Sequence, residues 1–221
     1  MRPATSRILA AASVTALALV AVPRPALATA TRPVAGHTAV RAGAVPTVAQ
    51  MTKGLIARAD LPAGYTLGET VDGVTSLAPG DRCDPLLKPD RGKPSPFVAA
   101  DFTTARGASG NEIIIATGAA VARDHLKALA AVPVKCPTTT TGKVTVRVTR
   151  TPLPVKSGIA VTVSTKGEDG SGTRVDSYIL GALVTSGEVC AFLTLMNATP
   201  ADSAPFTKLV TAATAKLKKI K

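Results

Sequence analysis

The sequence predicts an α+β domain, an antiparallel sheet of about six strands with helices packed mainly on one face. Three observations carry that expectation. Val144, Val146 and Val148 alternate with Thr145, Arg147 and Thr149, the period of a half-buried strand. That segment is the first of four successive strand-like segments joined by connections too short for parallel crossovers, which need a dozen or more residues. After Pro200, the residues Phe206, Leu209, Val210, Ala213, Leu217 and Ile220 fall on one stripe of a terminal amphipathic helix. With 46% hydrophobic and 18% charged residues over 221 positions, the chain has the apolar content of a folded core and too little charge for a disordered one.

The first segment reads as an export signal. Arg2 and Arg7 precede an uncharged run from Ile8 to Val22, and Ala26-Leu27-Ala28 supplies the small-residue pattern that a signal peptidase needs. Cleavage is expected between Ala28 and Thr29, with cleavage after Ala30 as the close rival. The apolar run of fifteen residues is short of the roughly 20 that span a bilayer core, so no membrane anchor is expected after cleavage. No cysteine precedes Cys83, which leaves the leader without a site for lipidation. Residues 29–46 carry four Gly or Pro without a period that would bury one face, and read as a flexible tail.

A single domain is expected from residue 47 to 221. Thr47-x-x-Gln50 is a capping-box pattern, and Val48, Met51 and Leu55 continue it at helical spacing towards Asp60, ahead of Pro62. Residues 64–96 are rich in Gly, Pro and Asp, with one short strand around Thr66 to Val71. Phe97 to Thr103 and Glu112 to Thr117 flank Arg106-Gly107-Ala108-Ser109-Gly110 as a hairpin. Ala119 to Val132 turns helical, with Val121, Leu126 and Leu129 on one side, and Pro133 and Pro137 close it. Strands are then expected over 143–149, around Ile159 to Val163, and over 174–184 and 188–196.

Removing residues 1–28 takes away three Arg and no acid, leaving 23 Lys+Arg against 14 Asp+Glu, a formal +9. Such a protein adheres to anionic polymers. Lys143, Thr145, Arg147 and Thr149 on one strand face, extended by Lys156 and Arg174, form the candidate patch. Lys216, Lys218, Lys219 and Lys221 crowd the end of the last helix, where cations oppose the negative pole. With 3% aromatics and no Trp, stacking platforms for sugars or single-stranded nucleic acid are not expected, and neither is a specific nucleic-acid partner.

The chemistry-bearing residues are few. Three cysteines, Cys83, Cys136 and Cys190, allow three single pairings in an oxidising environment. Cys83 and Cys136 both fall in irregular segments and are expected to be joined, while Cys190, in a strand beside Val189 and Phe192, reads as a small buried hydrophobe. His125 is the one histidine in the folded part, and it reads as a helix-surface residue. Its neighbour Asp124 points about 100° away on the helix and cannot orient it as in a hydrolase triad. No Cys-x-x-Cys or His-x-x-x-His spacing, P-loop, dinucleotide fingerprint or calcium loop occurs. No catalytic residue, metal or cofactor is therefore expected.

The run Ala59-Asp60-Leu61-Pro62-Ala63-Gly64-Tyr65-Thr66 closes the first helix. A cysteine in the following loop, a hairpin, and a helix ending just before a second cysteine come next. In this order of elements the chain resembles secreted sensor-like proteins of actinobacteria, similar to the PknH-like extracellular domain of receptor serine/threonine kinases. The resemblance spans roughly residues 47–221. It implies a non-enzymatic α+β domain whose cleft binds an unknown ligand, with Cys83 and Cys136 matching the first of two disulfides by position. Cys190 matches half of the second, whose partner is absent here. The expected function is a secreted, non-catalytic binding or sensor-like module for a small-molecule or cell-wall ligand, extracellular or wall-associated, with an apolar cleft between sheet and helix. The alternatives are a basic envelope protein on anionic wall polymers and, last, a small secreted hydrolase.

Overall fold

The computed structural model describes residues 45–75, 77–78, 88–89 and 94–220. Helix α1 (Val48–Gly54) and a 3-10 turn (Arg58–Asp60) lead into β1 (Tyr65–Thr75). A small two-stranded ladder pairs β2 (Leu77–Ala78) with β3 (Lys88–Pro89). The hairpin β4 (Ser95–Thr104) and β5 (Ser109–Ala116) precedes α2 (Ala119–Lys135). Next come β6 (Thr138–Thr141), β7 (Val144–Thr151), β8 (Gly158–Glu168), β9 (Arg174–Ser186) and β10 (Val189–Met196). A 3-10 turn (Pro200–Asp202) and α3 (Ser203–Leu217) finish the fold.

Eight strands form one sheet in the order β1-β4-β5-β10-β9-β8-β7-β6, with every neighbouring pair antiparallel. After β5 the chain crosses the sheet on α2 to the far edge, then meanders back until β10 slots in beside β5. The α+β class is as expected, with two strands more than about six. Alternation along the strands sorts the core into two layers. Val98, Ala100, Ile114, Leu180, Ala182, Ala191 and Leu193 pack against Met51 of α1, Leu55 just after it, and Phe206, Leu209, Val210, Ala213 and Leu217 of α3. On the opposite face Phe97, Ala99, Ile115, Val161, Ile179 and Cys190 pack against Ala122, Leu129 and Val132 of α2. Two of the three helices thus share a face and the third covers the other.

Several elements depart from expectation. The capping box at Thr47 forms, with the Thr47 N–H donating to Gln50 Oε1 at 2.8 Å. Yet α1 stops at Gly54 rather than near Asp60, because Leu55 turns extended and the Ile56 N–H donates to the buried Glu112. The strand expected over Thr66 to Val71 runs eleven residues, with a register irregularity between Leu67 and Thr70, and β6 adds a further edge strand. Helix α2 continues through Pro133 to Lys135, and its buried stripe is Ala122, His125, Leu129 and Val132. Val121, expected inside, is exposed. Among the described residues no helix is long and apolar enough to cross a membrane.

Candidate functional site

Among the described residues, the strand pattern that builds the sheet also leaves part of it without a helix against it. Val148 points into the α2 layer, so Thr145, Arg147 and Thr149 of β7 point to the other face. There α3 lies against β9 and β10 and α1 against β4 and β5, and the residues of this face on β6 and β7, with Thr162, Ser164 and Lys166 of β8, are left half-buried to exposed. Pairing register places Arg147 between Thr138 of β6 and Ser164 of β8. Thr145 faces Thr140 and Lys166, and Thr149 faces Thr162. Hydroxyls tie the lattice together: Thr140 and Thr145 lie 3.2 Å apart through their Oγ1 atoms, and Thr151 and Thr162 lie 2.8 Å apart. Arg147 has no ion-pair partner among the described residues.

One end of this face opens into a concavity of about 540 Å³ lined by Lys143, Lys166, Gly167, Glu168, Arg174, Val175 and Asp176. Its walls are strand ends held by cross-strand charge: Lys143 Nζ donates to Glu168 Oε2 at 2.9 Å, and Arg174 sits 3.7 Å from Asp176. Both ion pairs are exposed and contribute at most about 1 kcal/mol each. Gly167 has φ +147°, and a Cβ there would run into the Lys143 carbonyl, so only glycine lets β8 approach the start of β7 so closely. A second hollow of about 190 Å³ at the seam of α1 and α3 is lined by Gln50, Lys53, Gly54, Lys216, Lys219 and Ile220. Lys216, in the last turn of α3, donates to Asp60 at 2.8 Å, which with the Ala57 N–H helps hold the Asp60 carboxyl below its usual range against the opposing effect of burial. Neither hollow is the apolar cleft expected from the sequence: five of the seven residues around the larger one are charged.

The strand face expected from the sequence is present but smaller. Arg147, Thr145 and Thr149 share it, Lys143 precedes β7 and is spent on Glu168, and Arg174 borders the concavity. Lys156 lies in the connection at the opposite end of the β7–β8 pair and does not extend the patch.

The titratable interior holds the larger surprises. His125 is 2% exposed, which corrects the helix-surface reading: the helix phase that buries Ala122 and Leu129 also turns residue 125 inward. Its ring stands edge-on to Phe192 at 6.0 Å, neither nitrogen has a hydrogen-bond partner among the described residues, and burial lowers its pKa. Cys190 is a buried free thiol, pushed up to about 12 by burial, with Sγ 3.8 Å from Thr117 Oγ1. The Thr117 hydroxyl is the thiol's side-chain partner among the described residues, and no described residue hydrogen-bonds the His125 ring. Glu112, read in the sequence only as the start of a strand, is fully buried; Oε2 accepts from the Ile56 N–H at 2.6 Å, and Oε1 has no partner among the described residues. Burial pushes its pKa to about 7. The signal was its parity, since Glu112 is in phase with the core residues Ile114 and Ala116. Among the described residues no group of three His, Cys, Asp or Glu is placed to hold a metal ion.

Cys136 is buried at the end of α2. Cys83 lies outside the described residues, as do Ala28, Thr29 and residues 29–44 of the expected tail.

No family profile and no curated protein matches the chain. Solved structures do. The extracellular domain of PknH from Mycobacterium tuberculosis aligns with a TM-score of 0.51 and 14% identity, covering 80% of this chain and all of that one. An uncharacterised protein from Mycobacterium smegmatis aligns with a TM-score of 0.51 and 9% identity, covering 79% of this chain and 98% of the other. At those identities the likeness is one of fold. The fold of this chain is that of the PknH-like extracellular domain.

Proposed function

We propose that the protein is a secreted, non-catalytic extracellular binding module of sensor-like architecture. The observation that carries this reading is the alignment of an entire extracellular domain onto four fifths of the chain. The leader, with its Ala28–Thr29 junction, supports export. The isolation of His125 and the high pKa of Cys190 support a role without nucleophilic chemistry. A thermal-shift screen of residues 29–221 against envelope fragments and extracellular metabolites tests it, because a ligand selective for the folded state stabilises by about 2.7 kcal/mol at a hundredfold excess over Kd. A saturable rise in Tm with one ligand class is expected. A flat response to every class overturns the reading.

A second reading, a basic envelope-associated protein on anionic wall polymers, is favoured by the unpaired Arg147 on the bare face. Its ligand contacts weaken steeply with salt.

We also propose the Cys83–Cys136 cystine. Cys190 is buried and free, so of the three pairings only this one leaves it in place. Closing that loop stabilises the fold by about 4 kcal/mol in the chain-entropy model. Intact mass under non-reducing conditions is expected to be two hydrogens short of the fully reduced value; the fully reduced mass rules the cystine out.

A further inference from the structure

We propose that the face of β6, β7 and β8 that no described helix covers is a binding surface for a polyanion of repeated phosphate groups, read by the Arg147 guanidinium at the centre of a lattice of hydroxyls. The inference rests on the second reading above and gives it a place and a chemistry.

In a sheet, neighbouring strands lie about 4.8 Å apart and residues two apart on one strand about 6.7 Å. Arg147 therefore has Thr138 and Ser164 beside it, and Thr145 and Thr149 before and after it, within reach of one bound group. A guanidinium donates two parallel hydrogen bonds to two oxygens of a phosphate, and the flanking hydroxyls donate to the remaining ones. Lys166 sits on the diagonal from Arg147, across from Thr145, and places a second cation one step along the same face.

Charge decides between ligand classes. The nearby acids Glu168 and Asp176 are paired with Lys143 and Arg174, Lys166 faces Asp176 across the β8–β9 register, and Arg147 has no ion-pair partner among the described residues, so four cations against two acids leave the face net positive. It presents no Trp or Phe on which a neutral sugar ring would stack. Tyr178, the residue facing Ser164 on β9, is partly buried against the α3 layer. Each exposed contact is weak in water, which makes a single anion a poor ligand and a chain with repeated charges a good one.

The test uses residues 29–221 and immobilised long-chain inorganic polyphosphate, with Arg147→Gln compared to Arg123→Gln, a charge-matched change on the exposed outer side of α2. Both variants keep the same net charge, and equal melting temperatures exclude a folding defect. Arg147→Gln is expected to weaken binding about tenfold, the loss of one charge-assisted contact, and Arg123→Gln less than about twofold. Thr149→Val, which keeps the shape and removes a hydroxyl, is expected to weaken it about threefold. Equal losses for the two arginine variants overturn the site while leaving adhesion by net charge standing. Equal retention on polyglutamate overturns the phosphate chemistry. Absence of binding at low salt overturns both the inference and the reading beneath it.

Discussion

Glu112 and His125 are two buried titratable groups on opposite faces of one sheet, and their pH effects oppose each other. Glu112 has its folded pKa raised from 4.5 to about 7, so its contribution is fully present below about pH 4.5 and is lost as pH rises through 7. The size is about 3 kcal/mol. His125 has its folded pKa lowered, so its contribution is present above pH 6.5 and is lost as pH falls through the folded value. In the native chain the two slopes partly cancel. Glu112→Gln is expected to leave a Tm that rises with pH between 5 and 8, and His125→Leu one that falls across the same window. Melting curves at pH 5, 6.5 and 8 check both signs; parallel profiles for the two variants would show that neither group titrates on unfolding. Residue identity was legible where pattern and chemistry agreed, as for Cys190. It was illegible at Glu112 and His125, where a polar side chain occupies a core-facing position and only the phase of the element tells.

At the scale of the element, the amphipathic stripe of α3 was plain in the sequence because Phe206, Leu209, Val210, Ala213 and Leu217 fall on one side, with Ile220, the sixth expected position, just past the helix end. Phe206 anchors it at 1% exposure, and Phe206→Ala is expected to destabilise by about 3–5 kcal/mol in urea unfolding. Helix α2 was misphased because Val121 outweighed Ala122 in hydrophobicity, whereas close approach to the sheet selects the smaller residue. Edge strands β1 and β6 were partly or wholly missed for a shared reason. An edge strand buries little, so Gly68, Glu69 and Asp72, or four consecutive Thr, carry no alternation. Gly167 is the element-scale constraint at the concavity. Gly167→Ala forces both a disfavoured φ and a clash with the Lys143 carbonyl, and is expected to cost about 2–3 kcal/mol. A loss below about 0.5 kcal/mol in the same assay would mean that the start of β7 moves aside freely.

For the whole molecule, class follows from pattern but topology does not. Alternation reports which residues share a face and is silent on which strand is the neighbour. The insertion of β10 between β5 and β9, and the passage of α2 across the sheet, are long-range choices made by packing. That topology sets the function proposed here: among the described residues, α1, α3 and α2 leave one part of one face uncovered, and that part holds hydroxyls around an arginine without an ion-pair partner instead of an apolar cleft. Binding through that face is the central claim. The most direct measurement is an amide NMR map of residues 29–221 titrated with polyphosphate. Shifts concentrated on Thr138, Thr145, Arg147, Thr149 and Ser164 are predicted, fading as salt rises. Shifts centred on α2, or spread evenly over every exposed lysine, would contradict it.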